Sequence, residues 1–232
     1  MPQYAVQPCT IDDGADIARV HVSAFWTEPA WKIIWPNKTR EYVTNECKKR
    51  MPFNIITDPI YRRQQKAVDT GTGRIVGYAR WTLPELDGVE VGSLWPGAKA
   101  AEVSGERKQA AAEASASADW AYDGQVTSEL DKAVDQMKKE LLSKKQYIVL
   151  DILGVHPDVW RQGVANLLLN SGLKAIREFE VKLDVFVVAK SAGVGVYDKA
   201  GLKKVGEVIQ DGSSVGIDTD YAAWFYVWEA EN

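Results

Sequence analysis

The stretch Tyr147–Leu169, YIVLDILGVHPDVWRQGVANLLL, carries the residues best suited to chemistry. Gly163 and Ala165 leave the backbone N–H groups of its turn uncovered, and the helix that starts near Gly163 adds the positive end of its dipole. Together these make an anion site, with a pyrophosphate as the expected guest. Upstream, Asp151 is the only charged residue in Tyr147–Val155. A carboxylate buried alone is costly, so it must face a cavity, water or a partner. Strand alternation places it on one face with Tyr147, Val149, Leu153 and Val155. Two other phosphate motifs are absent. Gly92 and Gly97 have P-loop spacing, but Ala98 and Lys99 follow without a hydroxyl. The turn after Gly154 lacks the three glycines of a dinucleotide fingerprint.

The elements that must hold these groups follow from periodicity. Tyr147–Leu150 with Ile152 and Leu153 reads as a strand covered on both faces, broken by Gly154 and Pro157-Asp158. Ala165, Leu168, Leu169, Ile176 and Phe179 form the buried stripe of the next helix. Val181–Ala189 is a second apolar strand, so the unit is βαβ with parallel strands. A short helix, Val194–Ala200, ends at Gly201 in the left-handed conformation. Val205–Ile209 and Ala222–Trp228 are the final strands, and the aromatic run in the last is expected to pack on both faces.

Upstream, Tyr4–Val6 is a strand, and Thr10 with Asp12 and Asp13 starts a helix whose Ile17, Val20, Ala24 and Phe25 are expected in the core. Trp26, Trp31 and Trp35, in a segment broken by Pro29 and Pro36, either line a cleft or cover a sheet edge. Arg40–Arg50 is helical, with Pro52 and Pro59 marking helix ends or irregular chain. Lys66–Asp69 and Ile75–Leu83 form a hairpin around Thr70–Gly73. Residues 84–122 change character and read as an insertion: mobile loop, lid or surface excursion. Ser128–Lys144 is a helix. The fold class is α/β with a mixed central sheet, and residues 1–232 are expected to form one domain.

Composition narrows the function. The chain has 232 residues, with Lys+Arg 28 against Asp+Glu 32, a net charge of −4. Its pI is about 5.4 and its mean hydropathy −0.25. No basic surplus exists for general nucleic-acid binding, and no apolar run approaches the roughly 18 residues of a membrane helix. The N-terminus shows no secretory pattern, so a cytoplasmic protein is expected. Two histidines and two cysteines, without CxxC spacing, exclude a three-histidine metal site and a disulfide framework, so no metal is expected.

Two segments carry a family resemblance. Val155-His156-Pro157-x3-Arg161-Gln162-Gly163-Val164-Ala165 resembles the acyl-CoA loop of the GNAT superfamily of N-acetyltransferases, whose pattern is Gln/Arg-x-x-Gly-x-Gly/Ala after a Val-x-Pro step. Gly193-Val194-Gly195-Val196-Tyr197-Asp198-Lys199-Ala200-Gly201-Leu202 is similar to that superfamily's Gly-x-x-Leu-Tyr-x-Lys-x-Gly-Phe segment. Trp160 departs from the first Gln/Arg position and Leu202 from the final Phe. The order of elements agrees over Tyr4–Trp228, apart from 84–122.

The resemblance implies splayed parallel strands and acetyl-CoA as cosubstrate. Leu153, Gly154 and Val155 would border its pantetheine. Arg161, Gln162, Gly163, Val164, Ala165 and Asn166 would hold its pyrophosphate. A primary amine, of a small molecule or of a peptide or protein, would attack the thioester directly; a CoA-binding module without turnover is the other reading. Tyr197 would be the acid for the departing thiolate, or a tyrosine buried for packing. Asp151 would accept the amine proton, or serve as a structural partner for an arginine or N–H. Glu28 and Asp220 are weaker candidates for that base, and His156 is expected to cap its turn. The resemblance also admits a homodimer.

Overall fold

The computed structural model describes residues 3–230. In chain order the elements are β1 (Tyr4–Pro8), α1 (Gly14–Phe25), α2 (Pro29–Ile33), α3 (Arg40–Ile56), β2 (Arg62–Asp69), β3 (Ile75–Thr82), α4 (Gly105–Ala116), α5 (Ser128–Leu142), β4 (Tyr147–Val155), α6 (Val164–Arg177), β5 (Asp184–Ala189), α7 (Ser191–Lys199), β6 (Lys203–Gln210) and β7 (Tyr221–Trp228). The strands form one sheet ordered β1-β2-β3-β4-β5-β7-β6. Only β4 and β5 pair in parallel; every other neighbour is antiparallel. The mixed sheet expected from the sequence is therefore present.

Helices cover both faces. The apolar stripe of α6, with Leu168, Leu169, Leu173 and Ile176, shares a core with Trp81, Ile148, Leu150 and Tyr197. On the other face, Ile17 and Val20 of α1 meet Val43, Cys47 and Ile55 of α3 and Tyr78 of β3. Leu141 of α5 packs with Tyr147, Phe186 and Phe225. Within β7, Tyr221, Ala223 and Phe225–Trp228 are buried, as packing on both faces requires.

Three local expectations need correction. Gly154 does not end β4, which continues to Val155 against Gly77 of β3. Pro52 does not end a helix: it lies inside α3. Its ring occupies the space beside Gly14, where a Cβ would come within 2.6 Å of the ring, so contact with α1 outweighs the hydrogen bond that proline deletes. Third, β4 does not keep one alternation. Leu150 pairs with Trp81 and Ile152 with Arg80, which leaves Asp151 unpaired in a β-bulge. Tyr147 and Val149 face α5, but beyond the bulge Leu153 and Val155 join the core under α6 and Ile152 turns to the α1 and α3 side. The shared face expected for Tyr147 through Val155 is thus broken at Asp151, because an extra residue reverses the side-chain phase.

Residues 84–122 lie against the body of the protein. Arg63, 0% exposed, anchors the start of the segment. Its guanidinium donates to the carbonyls of Leu94 (2.7 Å), Val91 (3.0 Å) and Gly92 (3.3 Å), and also to Pro59, Ile60 and Arg62. Asp119 accepts from Lys38 at 2.8 Å and its backbone N–H donates to Glu46 at 2.7 Å. The alanine-rich run is helical to Ala116. No helix among the described residues is long and apolar enough to cross a membrane.

Candidate active site

The parallel pairing of β4 with β5 runs from Tyr147 with Asp184 to Leu150 with Val187, and then stops. Beyond it β4 follows β3 while β5 follows β7. The strands part at the bulge, and a cavity of about 460 Å³ opens between them. Its walls come from the splayed strand ends, the turn before α6, the first turns of α7, and the end of α1.

The turn exposes backbone donors, the feature an anion site requires. Arg161 (φ 60°) and Gly163 (φ 84°) are both left-handed. Glycine adopts that conformation without cost and arginine does not. The backbone N–H groups from Arg161 through Asn166 meet no acceptor among the described residues. They include the N-terminal donors of α6, where the helix dipole is positive. Trp160 does not open the turn: its indole N–H donates to the carbonyl of Val155 at 2.8 Å and ties the loop to the strand end. His156 caps the turn, accepting the N–H of Asp158 on Nδ1 at 3.4 Å. Burial holds its pKa below the ordinary imidazole value.

The residues predicted to contact the coenzyme separate cleanly. Leu153, Gly154, Val155, Arg161, Gly163, Val164, Ala165 and Asn166 all line the cavity. Gln162 does not. Its side-chain oxygen accepts the hydroxyl of Tyr4, so the side chain is drawn toward β1.

Tyr197 and Asp151 both line the cavity. Tyr197 is 4% exposed, its ring 5.7 Å from that of Tyr226. Its hydroxyl has no hydrogen-bond partner among the described residues, and burial pushes its pKa up, so the phenol keeps its proton at neutral pH. Asp151 accepts the hydroxyl of Thr82 and forms an ion pair with Arg80, with Nε 3.6 Å from Oδ2. It therefore has a structural partner and also faces the cavity.

Other residues fall in unexpected places. Ala24 and Phe25, expected in the core, line the cavity, while Ile17 and Val20 are buried as expected. Glu28 lines it too. Burial raises its pKa, opposed by the charge of Lys190. Lys190 is held below its usual range by burial and donates to the carbonyl of Ala222 at 3.2 Å. The signal for Glu28 was present, a lone acid between Trp26 and Pro29, but nothing local said that α1 ends at the gap. Asp220 is exposed and does not line the cavity. Among the described residues no cluster of His, Cys, Asp and Glu could hold a metal ion.

No family model and no curated protein matches this sequence. Solved structures do match. One is a histone acetyltransferase HPA2 and related acetyltransferase from Corynebacterium glutamicum, with 16% identity, 100% of this chain and 98% of that chain covered, and a TM-score of 0.59. Another is the polyamine N-acetyltransferase of Drosophila melanogaster, which forms N-acetylagmatine: 14% identity, 97% and 99% covered, TM-score 0.56. A third is the PaiA N-acetyltransferase of Thermoplasma acidophilum in complex with coenzyme A: 11% identity, 99% of each chain covered, TM-score 0.52. At these identities the likeness is one of backbone architecture, and by that architecture the chain has the fold of the GNAT acetyltransferases.

Proposed function

We propose that the protein is an acetyl-CoA-dependent N-acetyltransferase acting on the primary amine of a small molecule. One observation carries the reading: the parting of β4 and β5 leads straight into a turn whose N–H groups, from Arg161 to Asn166, lack acceptors. Strand backbone left without a neighbour suits the amide groups of a pantetheine arm, and the turn suits a pyrophosphate. The neighbour that carries coenzyme A and the neighbour that acetylates polyamines support the same reading. We take the chain as one transferase domain, with 84–122 as an insertion that serves it.

The chemistry follows from the cavity's own groups. The amine nitrogen attacks the thioester carbon, a C–N bond forms, and the C–S bond breaks. The amine's proton passes to a carboxylate, and the departing thiolate takes a proton from a donor. Tyr197 is that donor: it is protonated, and its hydroxyl is not committed elsewhere. Asp151 and Glu28 are the two carboxylates on the cavity wall. Asp151 is held by Thr82 and Arg80. The Glu28 carboxylate has no hydrogen bond or ion pair among the described residues, and burial raises its pKa, so it is the freer of the two to take the proton.

The test has two stages. Acetyl-CoA at a hundred times its Kd should add about 2.7 kcal/mol of stability, read as a rise in Tm of about 5 °C or more. A panel of amines should then release CoA thiol. No shift at millimolar acetyl-CoA would remove the reading. Asp151→Asn against Glu28→Gln, compared across pH, identifies the base.

A further inference from the structure

A second cavity, of about 530 Å³, lies on the α1 and α3 side of the sheet. Three guanidiniums line it: Arg50 from α3, Arg62 from β2 and Arg80 from β3. Neither the guanidinium of Arg50 nor that of Arg62 has a carboxylate within 4 Å or a hydrogen bond among the described residues. Arg50 lies 4.6 Å over the ring of Trp120. Arg80 has only the 3.6 Å ion pair to Asp151, and its Nε, sealed from solvent, makes no hydrogen bond. Other buried polar atoms lack partners as well. The indole N–H of Trp35, a residue 4% exposed, has no partner, and neither does Nδ1 of His21. Much of the remaining wall is aromatic, from Trp31, Trp35, Trp120 and Tyr122, with Ile34, Met51 and Ile152 beside them.

Guanidiniums drawn partly from water without counterions are costly to keep. Their fork matches the two oxygens of a carboxylate or phosphate. Aromatic walls favour a flat or apolar body beside that charge. The position matters too. Two side-chain pairs form the partition from the first cavity, each with one member on either side: Arg80 with Asp151, and His21 with Phe25, ring centroids 4.7 Å apart. A ligand seated among the arginines therefore lies next to the place where the strands part.

We propose that this second cavity receives the far end of the acceptor, and that the acceptor is a small amine carrying an oxyanion, carboxylate or phosphate, on an aromatic or apolar body. The assignment rests on the transferase reading and deepens it. It also gives residues 84–122 a task, since Trp120 and Tyr122 close the pocket.

The test uses three matched amines: tyramine, its para-carboxyl counterpart and tyramine O-phosphate. Their binding is titrated by calorimetry without coenzyme, and their acetylation is followed separately. At least one oxyanion form should bind about tenfold or more tightly than tyramine, as charge-assisted hydrogen bonds imply. Which one does names the anion. Arg50→Gln and Arg62→Gln should each remove that advantage while leaving acetyl-CoA affinity and far-UV circular dichroism unchanged, which separates lost recognition from misfolding. Equal binding of tyramine and both oxyanions, or oxyanion binding that survives both substitutions, would overturn the inference and leave the transferase reading standing. Arginine-dependent oxyanion binding in a protein that binds no acetyl-CoA would instead overturn the transferase reading, and the acceptor role with it.

Discussion

Arg63 and Arg50 are two guanidiniums withdrawn from water, and the fold treats them in opposite ways. Arg63 is fully buried and surrounded by carbonyl oxygens from 59–62 and 91–94. Arg50 is half-buried beside a cavity and bonded to nothing, with only the face of Trp120 against it. Burial lowers the pKa of both, so both bear a desolvation cost. Tyrosines show the same contrast. Tyr78 and Tyr197 are each buried, and burial raises the pKa of each. The Tyr78 hydroxyl donates to Gln64, whose own amide donates to the carbonyl of Ile55 at 2.7 Å; the Tyr197 hydroxyl has no such partner. The lesson is physical. Where a buried polar group is satisfied it is part of the frame, and where it is left open beside a cavity it awaits something the chain does not supply.

The strongest way to break that contrast is to remove its framing member. Arg63→Met leaves several carbonyls without donors and should cost roughly 3–5 kcal/mol in urea unfolding; a loss under 1 kcal/mol would show that Arg63 frames nothing. Next comes the tyrosine pair. Tyr197→Phe should lower kcat about a hundredfold or more, about 3 kcal/mol of barrier, and leave Tm unchanged. Tyr78→Phe should do the reverse, costing about 1–2 kcal/mol of stability with kcat intact. Equal behaviour of the two would abolish the distinction.

Glu28 sharpens it through pH. A carboxyl with a raised pKa is a base only above that pKa, so the rate should fall on the acid side at a pH higher than an ordinary glutamate would set. Glu28→Gln should abolish that limb. Its stability effect has the opposite sense. A carboxyl raised on folding favours the folded state at low pH, and this contribution is lost as pH rises through the folded pKa. The Gln variant should therefore show a flatter stability profile above the ordinary glutamate range, measured by Tm against pH. The smallest effect belongs to Arg50. Arg50→Met removes an uncompensated cation and should stabilise the unliganded protein by about 0.5–1 kcal/mol. A loss of stability would mean that Arg50 belongs to the frame after all.

Much of the first cavity's frame was legible from residue order alone. An apolar strand, a turn with Gly163, and the stripe of Leu168, Leu169 and Ile176 are local signals, and they sufficed to place the parallel pair and the free N–H groups; the splay of the strands was implied only by the family resemblance. The second cavity was not legible. Arg50, Arg62 and Arg80 come from three elements, and Trp120 from a segment that reads as an excursion; only the folded chain brings them together. The choice left open for the tryptophans near Pro29 resolves for the same reason: Trp31 and Trp35 face a cavity that Arg80 and Tyr122 complete. The bulge at Asp151 escaped notice because alternation says nothing of a surplus residue. What selects the bulge lies across the sheet, in the hydroxyl of Thr82 and the guanidinium of Arg80. Helix α3 passed through Pro52 because Gly14, distant in sequence, left it room.

That surplus residue in β4 has a further consequence for how the strand tolerates change. Deleting Asp151 would tidy the hydrogen-bond ladder against Trp81 and Arg80 and leave Ile152 and Leu153 on the walls they line now, because their partners on β3 fix their faces. A chain one residue shorter would be a more regular sheet with the same linings, but it would lack the carboxylate that ties Arg80 and Thr82 together between the two chambers.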